Sequence, residues 1–254
     1  MSDSEYVLVL RTCDQDHRSY GGFQWPELGP VECPDWNPSP VCGGGLHGLL
    51  WGAGDWTLVD ISPDAVWKVA RVLASEIVDL GGKVKFPRGE VVYSGTRDGA
   101  TGYIVANGGT NKGCHWATLT GGYRSTLTGG YRSVLTGGHR SVLTGGDESV
   151  LTGGHRSVLT GGDESTLTGG HRSVLTGGDE SVLTGGDESV LTGGHRSTLT
   201  GGDESVISAY WWDTDARKMR RVVGLIGQDG LRPGIPYRLE KGEWIEATED
   251  TANV

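Results

Sequence analysis

Between residues 120 and 207, hydrophobic and polar positions recur every eight residues, as Thr-Gly-Gly-x-x-Ser-x-Leu written eleven times without a gap. Leu closes every unit except the last, where Ile207 stands, and Ser holds the sixth place throughout. Two consecutive glycines cost a helix about 1 kcal/mol each, so the unit is not helical. The run Ser-(Val/Thr)-Leu-Thr alternates and carries β-branched residues, which predicts a short strand. Ser125 and Leu127 then share one face, and Thr126 and Thr128 the other. The Leu place hardly varies among the copies while its neighbour alternates between Val and Thr, so Ser and Leu are assigned to the inside. Gly-Gly-x-x reads as the turn, with glycine expected to supply the positive φ.

One octad is too short to close a coil. Two make a flattened sixteen-residue coil, and three a triangular coil of twenty-four. One Leu and one Ser per octad fill a thin core but leave a triangular one hollow, which favours two. Eleven octads then give about five to six coils, a rod of about 26 Å at the usual strand spacing. The enclosed Ser hydroxyls need partners, either turn backbone groups or each other along a ladder.

The flanks break the period. Residues 1–105 contain Trp25, Trp36, Trp51, Trp56 and Trp67, enough for a small core. Lys-Val-Lys-Phe at 83–86 and Glu-Val-Val-Tyr at 90–93 read as strands. Residues 62–80 are ambiguous: Ser62 and Pro63 resemble a helix start, whereas Val66–Leu73 also reads as a strand. A short helix is expected near Arg97–Val105, with Ala100 and Ile104 on one face. Residues 237–247 read as a hairpin turning at Lys241-Gly242. A bare solenoid end exposes unpaired strand edges, so His115, Trp116 and Tyr210-Trp211-Trp212 are expected to act as seals. The predicted fold is mainly β. It comprises a small α+β N-terminal domain (1–105), a β-solenoid of sixteen-residue coils (106–207) and a C-terminal capping segment with a β-hairpin (208–254).

Composition narrows the function. The net charge of −10 over 254 residues argues against a surface that coats nucleic acid. No apolar run approaches the roughly 20 residues of a membrane span. The first residues have no basic stretch before their apolar one, so a cytoplasmic location and reduced cysteines are expected. Cys13, His17, Cys33, Cys42 and His47 match no standard metal-finger spacing, so no metal is expected. No nucleophile, paired carboxylate or phosphate loop points to catalysis, and no cofactor is implied.

The octads resemble the tandem repeats of bacterial ice-nucleation proteins, in which Ala-Gly-x-Gly-Ser-Thr-x-Thr units pair into sixteen-residue coils. Here Gly-Gly replaces Ala-Gly, and Val mostly replaces the first Thr. The resemblance implies a β-solenoid with outward Thr that orders ice. The layout also resembles a group of phage and bacterial proteins of unknown function, through the segment Cys42-Gly-Gly-Gly-Leu-His47, the octads that follow and the closing hairpin. That likeness implies no activity.

Two outer surfaces follow from a two-octad coil. The flat faces carry Val or Thr beside Thr, with complete Thr-x-Thr pairs at Thr118/Thr120, Thr126/Thr128, Thr166/Thr168 and Thr198/Thr200. The turns carry charge. One edge shows Arg124, Arg140, Arg156, Arg172, Glu188 and Glu204; the other shows Arg132, Glu148, Glu164, Glu180 and Arg196. The edges are opposite in sign at four successive levels, so a parallel neighbour would meet complementary charge. The main reading is therefore a non-catalytic structural or interaction module whose partner is itself, joined through the charged edges. The alternative is an ice- or water-ordering surface on the Thr/Val faces. A third reading, an acidic rod mimicking DNA, is weakened by the His-Arg stripes. The six arginines and ten acidic residues leave the array at −4, and protonating its four histidines near pH ~6 would neutralise it.

Overall fold

The computed structural model describes residues 5–228 and 230–247. The chain divides into two compact units, residues 1–117 and 118–254.

The first unit is built on a seven-stranded sheet. Its strands are β1 (Tyr6–Cys13), β2 (Gly29–Glu32), β3 (Leu46–Leu50), β4 (Val66–Leu73), β5 (Val78–Asp79), β6 (Val84–Phe86) and β7 (Arg88–Gly95). They lie in the order β2-β7-β4-β1-β3-β6-β5, and the pairings are antiparallel. The ambiguous segment resolves as β4, a central strand paired to β1 along its whole length. Trp67, Lys68, Val69 and Ala70 are all buried, so both faces are covered and the alternation that marks a strand is lost. The Ser62-Pro63 signal serves a turn instead, closed by Ala65 N–H donating to the Ser62 carbonyl. Val9, Trp25, Val72, Val84 and Phe86 form the centre of the core. Helix α1 (Arg97–Ile104) is capped by Thr96, whose hydroxyl accepts from Gly99 N–H at 3.3 Å, and it buries Ala100 and Ile104. His115 and Trp116 serve this unit: His115 Nε2 meets the Gly54 carbonyl at 2.9 Å, and Trp116 packs edge-on against Trp67.

The second unit is a β-solenoid of sixteen-residue coils, with one octad on each side. One sheet stacks β8 (Thr118–Thr120), β10 (Val134–Thr136), β12 (Val150–Thr152), β14 (Thr166–Gly169), β16 (Val182–Gly185) and β18 (Thr198–Thr200). The other stacks β9 (Thr126–Thr128), β11 (Val142–Thr144), β13 (Val158–Thr160), β15 (Val174–Thr176), β17 (Val190–His195) and β19 (Val206–Asp213). Every neighbouring pair in these stacks is parallel, and like residues align, as in Leu135↔Leu151 and Leu143↔Leu159. Leu135 through Leu199 and Ile207 are completely buried, as are the serines from Ser133 to Ser205.

Antiparallel strands end both stacks. The hairpin turning at Lys241-Gly242 is β21 (Pro236–Glu240) and β22 (Glu243–Glu246), with β21 paired to β18. The other stack ends in β20 (Lys218–Leu225), which pairs with all of β19. Sequence reading assigned no strand to Arg217-Lys-Met-Arg-Arg221; β20 begins at Lys218 and its first four residues are all exposed, so no alternation marks it. The expected aromatic seal is only partly inward. Tyr210 and Trp212 are exposed on β19, while Trp211 lies close to Gly242, where a Cβ would come within 3.2 Å of its ring.

The turns correct one expectation. None of the octad glycines adopts positive φ; the left-handed residue is the Arg or Glu two places later, from Arg124 (φ 58°) through Glu204 (φ 56°). Glycine is required for close approach instead. A Cβ on Gly153, a first-place glycine, would lie 2.7 Å from Ser157 Cβ and 2.8 Å from Leu159 Cδ1. A Cβ on Gly178, a second-place glycine, would lie 2.7 Å from Asp163 N and 2.9 Å from Gly162 C in the coil below. The left-handed residues are held by ladder bonds, such as Arg140 N–H to the His155 carbonyl at 2.9 Å.

The Ser hydroxyls find the partners their burial demands. Ser165 Oγ donates to the Gly146 carbonyl at 3.2 Å and accepts from Ser149 N–H at 3.3 Å. The same two bonds recur at Ser181 and Ser189, so each Ser ties its coil to the one before. Ser165 Oγ thus shares the Gly146 carbonyl with Gly162 N–H and gives the buried Ser149 N–H its acceptor.

Candidate functional site

Parallel stacking in exact register converts each outward octad position into a column. On the first sheet, Thr120, Thr136, Thr152, Thr168, Thr184 and Thr200 align. On the second, Thr128, Thr144, Thr160, Thr176 and Thr192 align and end at Ser208. Beside each runs a column of Val with occasional Thr. The outward valines from Val134 to Val190 are 40–44 % exposed, so the faces are open to solvent yet flat. Adjacent rungs stand about 4.8 Å apart, and residues two apart along a strand about 6.7 Å.

The eight threonines of the complete Thr-x-Thr pairs do not form one patch. Thr118/Thr120, Thr166/Thr168 and Thr198/Thr200 lie on β8, β14 and β18 of one sheet, separated by Val-bearing rungs, and Thr126/Thr128 lies on β9 of the other. Thr118, Thr120, Thr126, Thr166 and Thr168 are exposed, whereas Thr128, Thr198 and Thr200 are half-buried. For Thr198 and Thr200 the cause is the neighbouring strand β21, which pairs across from them. The continuous feature is one Thr column on each sheet, together with the stiff Val side chains that flank it. The fixed last Thr-to-Thr period of eight is the signal that identifies it.

This surface suits ordered water for a physical reason. A Thr hydroxyl can donate one hydrogen bond and accept two. β-branched side chains hold few χ1 states, and the stacked backbone holds their spacing. Little conformational entropy is then lost when water is organised above them.

The charged edges are arranged differently from their sequence-level reading. Each column changes sign where opposite charges become vertical neighbours, and each such change is an ion pair within the chain. Arg132 meets Glu148 at 2.5 Å, Arg172 meets Glu188 at 2.7 Å, and Arg196 meets Glu180 at 3.5 Å. Tyr131 also donates to Glu148, and this bond, then Arg132, hold the Glu148 carboxyl below the usual carboxylate range. Arg124 packs over the Tyr123 ring, and Arg140 donates to the Tyr123 hydroxyl at 3.1 Å. Of the four levels with opposite charge on the two edges, only Arg156/Glu164 has both members outside such contacts among the described residues. Glu204 is exposed.

The inner turn positions act structurally. Asp147 Oδ1 accepts from Asp163 N–H at 3.0 Å, and Asp163 Oδ1 from Asp179 N–H at 2.8 Å. His139 Nδ1 accepts from His155 N–H in the same way, and the two rings pack edge-on at 4.9 Å. These acidic groups therefore cap turns within the stack, and the positive and negative blocks alternate along each edge. A mimic of DNA would need one continuous sign.

The sequence-level metal candidates are dispersed in the first unit. Cys13 lies beside Arg11 and Lys68, and burial pushes its thiol pKa up. His17 meets the buried Lys68 ammonium at 3.1 Å, and Cys42 accepts from Lys83 at 3.2 Å. Among the described residues no group of three His, Cys, Asp or Glu side chains could hold a metal ion. Nor is any described helix long and apolar enough to cross a membrane.

No family model matches the chain. It is 43% identical over 113 residues to an ice nucleation protein of Pseudomonas fluorescens, covering 44% of this chain and 9% of that protein. A Xanthomonas campestris pv. translucens ice nucleation protein is 43% identical over 105 residues, covering 41% and 7%. The ice nucleation protein InaU of Pantoea ananas is 42% identical over 101 residues, covering 39% and 10%. The chain thus spans a tenth or less of these relatives' length. No solved structure matches it. The likeness is one of tandem repeats, and the β-solenoid agrees with it.

Proposed function

We propose that the solenoid is a non-catalytic ice- or water-ordering surface, working through its flat Thr/Val faces. The observation that carries this reading is the in-register Thr column, six rungs deep from Thr120 to Thr200, on a rigid parallel stack. The repeats shared with proteins named for ice nucleation support it. Each rung presents a hydroxyl and a methyl group at fixed spacing. The hydroxyls anchor water, and the methyl and Val groups favour a cage-like first layer over bulk hydrogen bonding. Six rungs offer a small area, so ice adsorption and modest nucleation are expected rather than freezing close to the melting point. Droplet-freezing and thermal-hysteresis assays test this. The full chain should differ from buffer, and Thr152→Lys with Thr168→Lys should remove the difference. Freezing curves that match buffer would refute the proposal.

Self-association through the charged edges is the weaker reading. Most of the complementary charges are already engaged within the chain, which leaves Arg156 and Glu164 as the central free level. Exposed pairs of this kind contribute at most about 1 kcal/mol each. Any assembly is therefore expected to be weak and to disperse as salt rises.

A further inference from the structure

Several octad corners share one bond, made in two chemistries. At the Asp corners a carboxylate oxygen accepts the backbone N–H of the fourth-place residue one coil on. Asp147 Oδ1 takes the Asp163 N–H at 3.0 Å, Asp179 Oδ1 the His195 N–H at 2.7 Å and Asp187 Oδ1 the Asp203 N–H at 2.9 Å. At His139 the acceptor is a ring nitrogen: Nδ1 takes the His155 N–H at 3.0 Å. Among the described residues, His139 is the histidine whose ring makes this bond.

The two acceptors persist over different pH ranges. A carboxylate oxygen goes on accepting down to about pH 4. An imidazole nitrogen accepts only while it carries no proton, and imidazoles become protonated between about pH 8 and 5. The bond therefore assigns His139 as a neutral imidazole with its hydrogen on Nε2. Its surroundings are positive. Its column contains Tyr123, His155 and His171, and Arg124, Arg140, Arg156 and Arg172 run beside it. The His155 ring packs edge-on at 4.9 Å from that of His139 and 6.1 Å from that of His171. Arg140 donates to the Tyr123 hydroxyl. The carboxylates of this stretch are Asp187 and Glu188 at its far end; Glu188 pairs with Arg172 and lies 3.6 Å from His171 Nε2. The flanking strands β9 to β13 present Val, Leu and Thr. A proton on His139 thus removes an acceptor and adds positive charge next to Arg140 and Arg156.

We propose that His139 is an acid-released latch on one corner of the solenoid. At neutral pH its Nδ1 holds the backbone of the next coil at His155. Protonation releases that N–H while the Asp corners stay closed. The release is local, because Arg140 N–H still donates to the His155 carbonyl at 2.9 Å and Gly154 N–H to the Gly138 carbonyl at 3.2 Å. The corner is held above the imidazole range and freed below it. The latch does not depend on what the flat faces bind.

The test uses the full chain and solvent-exchange NMR of backbone amides at about pH 8 and about pH 5.5, each rate divided by its intrinsic value. Protection of the His155 N–H should fall roughly three- to tenfold relative to the Asp163 N–H, the loss of one exposed hydrogen bond. His139→Asp supplies the acceptor of the other corners, and its His155 N–H should stay protected at both pH values. His139→Ala supplies none, and protection should be low at both. If neither variant folds, the parent alone decides. Its His139 ring should carry hydrogen on Nε2 at about pH 8 by ¹⁵N NMR, and the His155 amide proton should shift as that ring titrates while the Asp163 amide does not. A hydrogen on Nδ1, or a His155 amide indifferent to the titration, overturns the proposal. So does equal loss of protection at His155 and Asp163, or a folded variant of either kind that keeps the parent's pH dependence.

Discussion

In the N-terminal unit, Trp25, Phe86, Val9 and Val72 pack as unlike shapes in a single core. In the solenoid, a coil buries two Leu and two Ser, and the next coil repeats them. Side-chain complementarity fixes register in the first case. In the second, register comes from backbone ladders, from Ser hydroxyls that link successive coils, and from glycines that admit no Cβ. Identical coils could slip by a whole coil at no loss of packing. The left-handed Arg and Glu turns and the Ser bonds hold each octad in phase within its coil. The comparison teaches that a repetitive sequence moves specificity from side chains to the corners.

Substitutions sharpen this contrast. Phe86→Ala should cost the first unit about 4 kcal/mol, the usual result of emptying an aromatic site in an irregular core, and calorimetry would report it. Gly178→Ala should cost the solenoid about 3 kcal/mol, although it adds only a methyl group, because its neighbours at 2.7 and 2.9 Å are backbone atoms. A tolerated Gly178→Ala would break the claim that close approach, and not conformational freedom, selects glycine. Ser165→Ala should cost about 1–2 kcal/mol by removing the acceptor of the buried Ser149 N–H, seen as a lower denaturation midpoint.

The smallest effect concerns an edge pair. Tyr131→Phe should lose about 1 kcal/mol, since it removes one part-buried hydrogen bond to Glu148 and leaves the Arg132–Glu148 pair in place. Glu148 has a depressed folded pKa, so its contribution is fully present above its ordinary value of 4.5 and is lost as pH falls through the lower folded value. Urea melts of parent and Tyr131→Phe should therefore differ at neutral pH and converge in acid.

Much of the solenoid was legible. One Leu and one Ser per octad specified a thin core, and the sixteen-residue coil followed. Alternation placed Leu and Ser inside, and their burial is nearly complete. The turn conformation was not legible, since Gly-Gly suggests positive φ although the clash involves a residue sixteen places away. β4 was obscured because both its faces are covered, and β20 because its first four residues are all exposed and mostly basic. The Thr pairs drew attention to scattered sites, whereas the column depends on the period alone. The histidines of the array counted equally in its charge, whereas the bond from His155 N–H to His139 Nδ1 joins successive coils and singles out His139.

The most direct test of the central claim is partitioning into a slowly growing ice front. Three full-length proteins should be compared: the parent, a face variant (Thr136→Lys, Thr152→Lys, Thr168→Lys) and an edge variant (Arg156→Gln, Glu164→Gln), each first shown to be folded by circular dichroism. The parent and the edge variant should enter the ice, and the face variant should stay in the liquid. Exclusion of all three, or incorporation that follows the edge residues instead of the threonines, would contradict the account.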